Sequence, residues 1–203
     1  MKNRISFLVA FAVLFVFPVC LISCSEKEDD RQEQTVYVIN VDVAGGSLSL
    51  KPFTDWSATV ADADNHMRKT YDGCQVENEG QVEYDSINRL YFKAYTIVDS
   101  VYSMFYFEDS IGKKYIGNQF CCYASNDIEE VKNNLLRQGF IFMGYTDYTE
   151  HGDDGMGFNW CYGSRDKKTM CQVTDWADYD AWGLFFSRYF EEQTDYVSRI
   201  DIY

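Results

Sequence analysis

The stretch NDIEEVKNNLLRQGF, Asn126–Phe140, decides the fold class. Ile128, Val131, Leu135 and Leu136 fall at i, i+3, i+7 and i+8, which is one stripe of an α-helix. Asp127 stands at an N-cap position with Glu130 three residues on, and Gly139 stands where helices stop. The spacing predicts a helix over about 127–138. Its neighbours on both sides carry a different period.

Downstream, FIFMGYTDY (Phe140–Tyr148), GMGFNWCYG (Gly155–Gly163), KTMCQVTDW (Lys168–Trp176) and AWGLFFSRYF (Ala181–Phe190) read as four successive strands. YVSRIDIY (Tyr196–Tyr203) reads as a last one. Upstream, Leu90–Val98, Val101–Phe107 and Tyr115–Tyr123 are short, Tyr-rich runs separated by Asp, Ser, Gly and Asn, as antiparallel strands are. Residues 182–190 stay open between two readings, because Trp182, Phe185, Phe186, Tyr189 and Phe190 also fit a helix face. Their aromatic content and the turn-forming Asp178–Asp180 favour strand. The expected class is α+β, a predominantly antiparallel sheet with one helix packed on it. No internal repeat is visible.

Near the N-terminus, TVYVINVDV (Thr35–Val43), the turn Ala44-Gly45-Gly46 and SLSL (Ser47–Leu50) read as a hairpin. DWSATVADADN follows, with Trp56 and a short run to Val60. This strand, Gly-Gly turn and later Trp-Ser are similar, over residues 35–65, to the opening of the BACON family of β-sandwich modules. The resemblance implies a small β subunit there.

The first 34 residues belong to a different chemistry. Lys2 and Arg4 precede ISFLVAFAVLFVFPV, the basic head and apolar stretch of a secretory signal. Leu21-Ile22-Ser23-Cys24 resembles the lipobox of bacterial lipoproteins. In that family the cysteine takes a diacylglyceryl thioether, the signal is cut before it, and its new amine is acylated, with palmitate a typical chain. The resemblance makes residues 1–23 the signal peptide and Cys24 the lipid attachment. Each buried methylene is worth about 0.8 kcal/mol, so two or more chains anchor stably. SEKEDDRQEQ, which completes a 24–34 tether, has no residue able to build a core. Its SEKEDD is similar to the acidic sorting signal of surface-exposed lipoproteins. The expected address is the outer membrane, lipid-anchored and cell-surface exposed, with a periplasm-facing orientation as the alternative. Residues 35–203 then form a single β-rich domain.

Removing residues 1–23 takes away Lys2 and Arg4 and no acid, leaving 16 bases against 32 acids and a net charge of −16. That excludes nucleic acid and anionic lipid surfaces as comfortable partners. Neutral glycans, cations and other surface proteins remain. Five cysteines follow the anchor: Cys74, Cys121, Cys122, Cys161 and Cys171. None sits in a C-x-x-C, and an odd number leaves at least one thiol outside any internal pairing. A hairpin centred on Asp166 sets Cys161 opposite Cys171, which makes them the candidate disulfide.

Catalytic and metal motifs fail their tests. A calcium loop starting at Asp147 has Gly152 at position 6 but Phe158 at position 12; one starting at Asp62 has Met67 and Gly73 there. Neither a G-x-S-x-G elbow nor an H-E-x-x-H occurs, and His66 and His151 both sit in polar stretches that read as loops. No cofactor, metal or catalytic residue is therefore assigned. The remaining candidate is DWADYDAW, where Trp176, Tyr179 and Trp182 interleave with Asp178 and its neighbours around a turn. Flat rings that stack on pyranose C–H groups, with carboxylates for the hydroxyls, suit a sugar site, and Tyr and Trp also suit protein interfaces. The expected function is a non-enzymatic glycan- or protein-binding module on a membrane anchor. The alternatives are a secreted carboxylate-dependent hydrolase and a structural subunit of a surface assembly.

Overall fold

The computed structural model describes residues 35–43, 46–83, 89–108, 114–123, 128–147, 157–176 and 181–189. The signal, Cys24, the tether, His151 with its acidic loop, Asp178, Tyr179 and YVSRIDIY lie outside them.

Among the described residues, ten strands and two helices follow one another. A hairpin of β1 (Ile39–Val43) and β2 (Gly46–Leu50) comes first, then helix α1 (Val60–Thr70) and strands β3 (Gln75–Glu83), β4 (Arg89–Val98), β5 (Val101–Phe107) and β6 (Tyr115–Cys122). Helix α2 (Ile128–Arg137) precedes β7 (Phe140–Asp147), β8 (Phe158–Ser164), β9 (Thr169–Trp176) and β10 (Ala181–Arg188). The expected helix is there, and Gly139 ends it with φ 91°, the left-handed conformation a helix C-terminus favours. Residues 181–188 are strand, as their aromatic content suggested. The eight long strands form one open antiparallel sheet in the order β3-β4-β5-β6-β10-β9-β8-β7.

Two expectations need correction. Residues 60–65, read as the end of a β unit, open α1 instead. Thr59 caps it: its side chain accepts from the Asp62 N–H, and Asp62 takes the Thr59 N–H at 2.8 Å. The buried stripe is only Ala63 and Met67, too thin a pattern to announce a helix. His66 consequently sits on a helix rather than in a loop. Its ring stacks on Phe53 at 4.7 Å, and Nε2 bonds the Lys51 carbonyl at 2.9 Å.

The second concerns the repeat, which is absent from the residues and present in the topology. One helix and a four-stranded meander occur twice, and the last strands, β6 and β10, pair in the middle. Ala63 and Met67, the fourth and eighth residues of α1, match the buried Val131 and Leu135, the fourth and eighth of α2. Counting outward from the central pair Gln119↔Phe185, Lys93 on β4 and Trp160 on β8 hold equivalent places. Lys93 Nζ binds Asp64, the fifth residue of α1, at 3.0 Å. Lys132, the fifth residue of α2, lies 4.0 Å from the Trp160 ring centroid. An ion pair and a cation–π contact thus dock the two helices at matching points, with no side chain in common.

Both helices and the hairpin lie on one side of the sheet, the first face. Tyr95, Phe105, Phe120, Tyr162, Val173, Leu184 and Phe186 point there and join Ile39, Val41, Leu50, Met67, Val131 and Leu135 in a single core. Burying such a side chain contributes about 1.5–3 kcal/mol. Gln138, just past α2, pins the N-terminal segment by accepting from the Val38 N–H at 2.6 Å and donating to its carbonyl.

Burial holds the His66 imidazole below its ordinary pKa. The neutral ring therefore contributes stability above about pH 6.5, which is lost as pH falls through that value and the lower folded one. A series of urea titrations from pH 7.5 to 5 should show stability falling more steeply in the native chain than in His66→Gln. Equal slopes would assign the acid sensitivity elsewhere.

Candidate functional site

Side chains alternate across a sheet, so the strands that fill the first face also build a second. Its middle row runs Ala94, Met104, Gln119, Phe185, Gln172 and Cys161. Thr96, Tyr102, Cys121, Gly183, Thr174 and Asn159 form the row on one side, and Phe92, Tyr106, Gly117, Ser187, Met170 and Gly163 the row on the other. From β4 to β8 these rows carry no Asp, Glu, Lys or Arg. In a chain of net charge −14, that is a selective omission. The acids collect elsewhere, as at β3, where Glu77 reaches the face only at its edge by accepting from Thr96 Oγ1.

The aromatic residues of this face lie across glycines of neighbouring strands. A methyl group at Gly117 would come within 2.7 Å of the Phe185 ring, one at Gly80 within 3.3 Å of Phe92, and one at Gly183 within 3.5 Å of Trp176. Phe92, Tyr102, Tyr106, Phe185 and Trp176 are half-buried, as are Gln119, Gln172, Thr174 and Asn159. The result is a set of half-buried rings and carboxamides on the sheet, between buried Ala94, Cys121, Cys161, Met170 and Ser187. Tyr106 donates its hydroxyl to Gln119 Oε1 at 2.8 Å and meets Phe185 edge-on at 6.1 Å. Burial, with Cys121 nearby, pushes the Tyr106 hydroxyl up to about 12, so it stays a donor.

The candidates read from the sequence are separated by register. Ala181 pairs with Trp176 and Trp182 with Asp175, so the two tryptophans point to opposite faces. Trp182 is 4% exposed within the core, where it cannot meet a ligand. Trp176 belongs to the second face. Tyr179 and Asp178 lie outside the described residues.

The expected Cys161–Cys171 bridge is likewise undone by register. Its hairpin closes with Gly163 opposite Met170, so Cys161 faces Gln172 and Cys171 faces Tyr162. Ser164 sets this turn by accepting from the N–H of Lys168 at 3.2 Å and of Thr169 at 3.0 Å. The two sulfurs fall on opposite faces, and all five cysteines are free thiols. Burial raises Cys161 to about 11 and Cys121 to about 12, which keeps them protonated and unreactive.

Carboxylates on the first face are engaged in docking α1. Lys93 Nζ, on a side chain 12% exposed, reaches Asp64 at 3.0 Å and Glu79 at 3.4 Å. Tyr95 donates to Asp64, and Tyr91 donates to Glu79 at 3.0 Å. Among the described residues, no three His, Cys, Asp or Glu gather as a cation site. Comparison with family models, with curated proteins and with solved structures finds no match for the chain.

Proposed function

We propose that this chain is a lipid-anchored surface or outer-membrane protein that binds a neutral glycan through the second face of its sheet, without catalysing a reaction on it. The observation that carries the reading is the composition of that face. From β4 to β8, an acidic protein keeps its rows of rings and amides free of Asp, Glu, Lys and Arg. Anionic ligands are repelled by the surroundings, whereas the C–H faces of neutral sugars stack on rings and their hydroxyls bond carboxamides. A sheet holds such groups more exactly in place than loops do. Protein partners also use Tyr, Trp and Phe, but the Gln119 and Gln172 carboxamides on either side of Phe185 suit the hydroxyls of a sugar stacked on that ring.

The anchor completes the reading: Cys24 carries the lipid, residues 25–34 hold the domain away from the membrane, and the domain is presented to polysaccharide outside. Cys24→Ala should accumulate as an unprocessed precursor of higher apparent mass. A variant still cut and released at normal size would remove the anchor. For the ligand, the full chain in detergent should bind neutral oligosaccharides on a glycan array and reject sulfated and uronic ones. Phe185→Ala with Trp176→Ala should cut that binding at least tenfold while thermal unfolding of the fold stays cooperative. Capture of a protein partner with no glycan bound, or turnover of a bound glycan, would overturn the proposal.

A further inference from the structure

We infer that the centre of the second face is a subsite for an N-acetylated sugar, its acetamido methyl seated on Phe185 and its carbonyl oxygen accepting from Gln119. The inference rests on the glycan reading above and adds the class of sugar. Gln119 and Phe185 are directly paired neighbours at the middle of the sheet. The Gln119 carboxamide is held by one neighbour. Its Oε1 accepts from the Tyr106 hydroxyl at 2.8 Å, which leaves Nε2 with two hydrogens to give. Among the described residues it has no acceptor.

Beside that donor lies an apolar floor. Phe185 spreads over Gly117, where a methyl group would stand 2.7 Å from the ring, and Met104 flanks Gln119 on the other side. A ligand group that fits must offer an acceptor and an apolar patch a bond or two apart. A hydroxyl supplies the acceptor but brings a polar hydrogen onto the ring. An acetamido group supplies a carbonyl oxygen and a methyl together. Its N–H then faces across Phe185 toward Gln172, the next carboxamide in the same row, about one strand spacing away.

The test compares two β-1,4-linked tetrasaccharides that differ in the acetamido group, chitotetraose and cellotetraose. Each is titrated calorimetrically into the full chain in detergent. Chitotetraose should bind roughly tenfold more tightly, the scale of one hydrogen bond plus a buried methyl. Gln119→Leu should weaken chitotetraose far more than cellotetraose and bring the two to about the same affinity. Tyr106→Phe, which frees the amide to turn, should reduce the preference severalfold. Gln119→Glu, close in shape to the native residue, should lose the preference too, which separates recognition from folding. Equal binding of both sugars, lost together in Phe185→Ala, would overturn the acetamido assignment and leave the neutral-glycan reading standing. Binding of neither would overturn both.

Discussion

Alanine at Gly117 should destabilise the domain by about 3 kcal/mol, the upper end of what one overpacked methyl costs. The new Cβ would meet the Phe186 carbonyl oxygen at 2.6 Å and the Phe185 ring at 2.7 Å. The ring can swing aside. The carbonyl cannot, because it belongs to β10, which pairs with β6 at the seam joining the two four-stranded halves. For a domain of this size, that loss lowers the thermal midpoint by roughly 10 °C. Gly163→Ala is the control: its methyl meets only side-chain atoms, the Met143 sulfur at 2.8 Å and the Tyr189 ring at 3.1 Å, which can move, so its cost should be smaller. Urea titrations of the two variants check this, and equal losses would show that the seam is not the rigid element.

Phe105→Ala should cost about 4 kcal/mol, the usual range for emptying a large buried aromatic site. Phe105 is fully buried, and its ring neighbours are Tyr95 at 5.8 Å, Tyr115 at 5.9 Å and Phe53 at 6.4 Å. It therefore ties the segment after the hairpin to the middle of the sheet. Phe105→Leu, which keeps most of the volume, should lose less than half as much. A small effect for the alanine variant, with an unchanged denaturant slope, would mean that the first-face core can close over the gap.

The strands and α2 were legible because their signals are local. An i, i+3, i+7, i+8 stripe with a terminal glycine admits one reading, and β5, VYSMFYF, shows its inward Val101, Phe105 and Phe107 directly. β3 was not legible: QVENEGQVE is a polar edge strand, and edges are kept polar and bulged to deter further pairing. α1 hid because two buried residues make no visible stripe, although Thr59-x-x-Asp62 was there to be read as its cap. The repeat hid because equivalent places hold Lys93 and Trp160, or Asp64 and Lys132, so the correspondence lies in topology and not in residue type.

The candidate face was half visible. Tyr102, Met104 and Tyr106 alternate with a buried set, and a strand that stays aromatic on its outward side has a second surface to serve. What the sequence could not show is which aromatic joins which face. A single residue of register separates Trp176 from Trp182 and Cys161 from Cys171, and register depends on turns whose geometry is set by single side chains such as Ser164.

The central claim is that the uncharged second face is where ligand binds. It is tested most directly by mapping amide and methyl NMR shifts as a neutral oligosaccharide is titrated into the isotope-labelled protein. Shifts should concentrate at Tyr102, Met104, Tyr106, Gln119, Gln172 and Phe185, with Val131, Leu135 and Phe105 beneath the helices unmoved. Shifts centred on α1, α2 or the β1–β2 hairpin, with Gln119 and Phe185 silent, would contradict it.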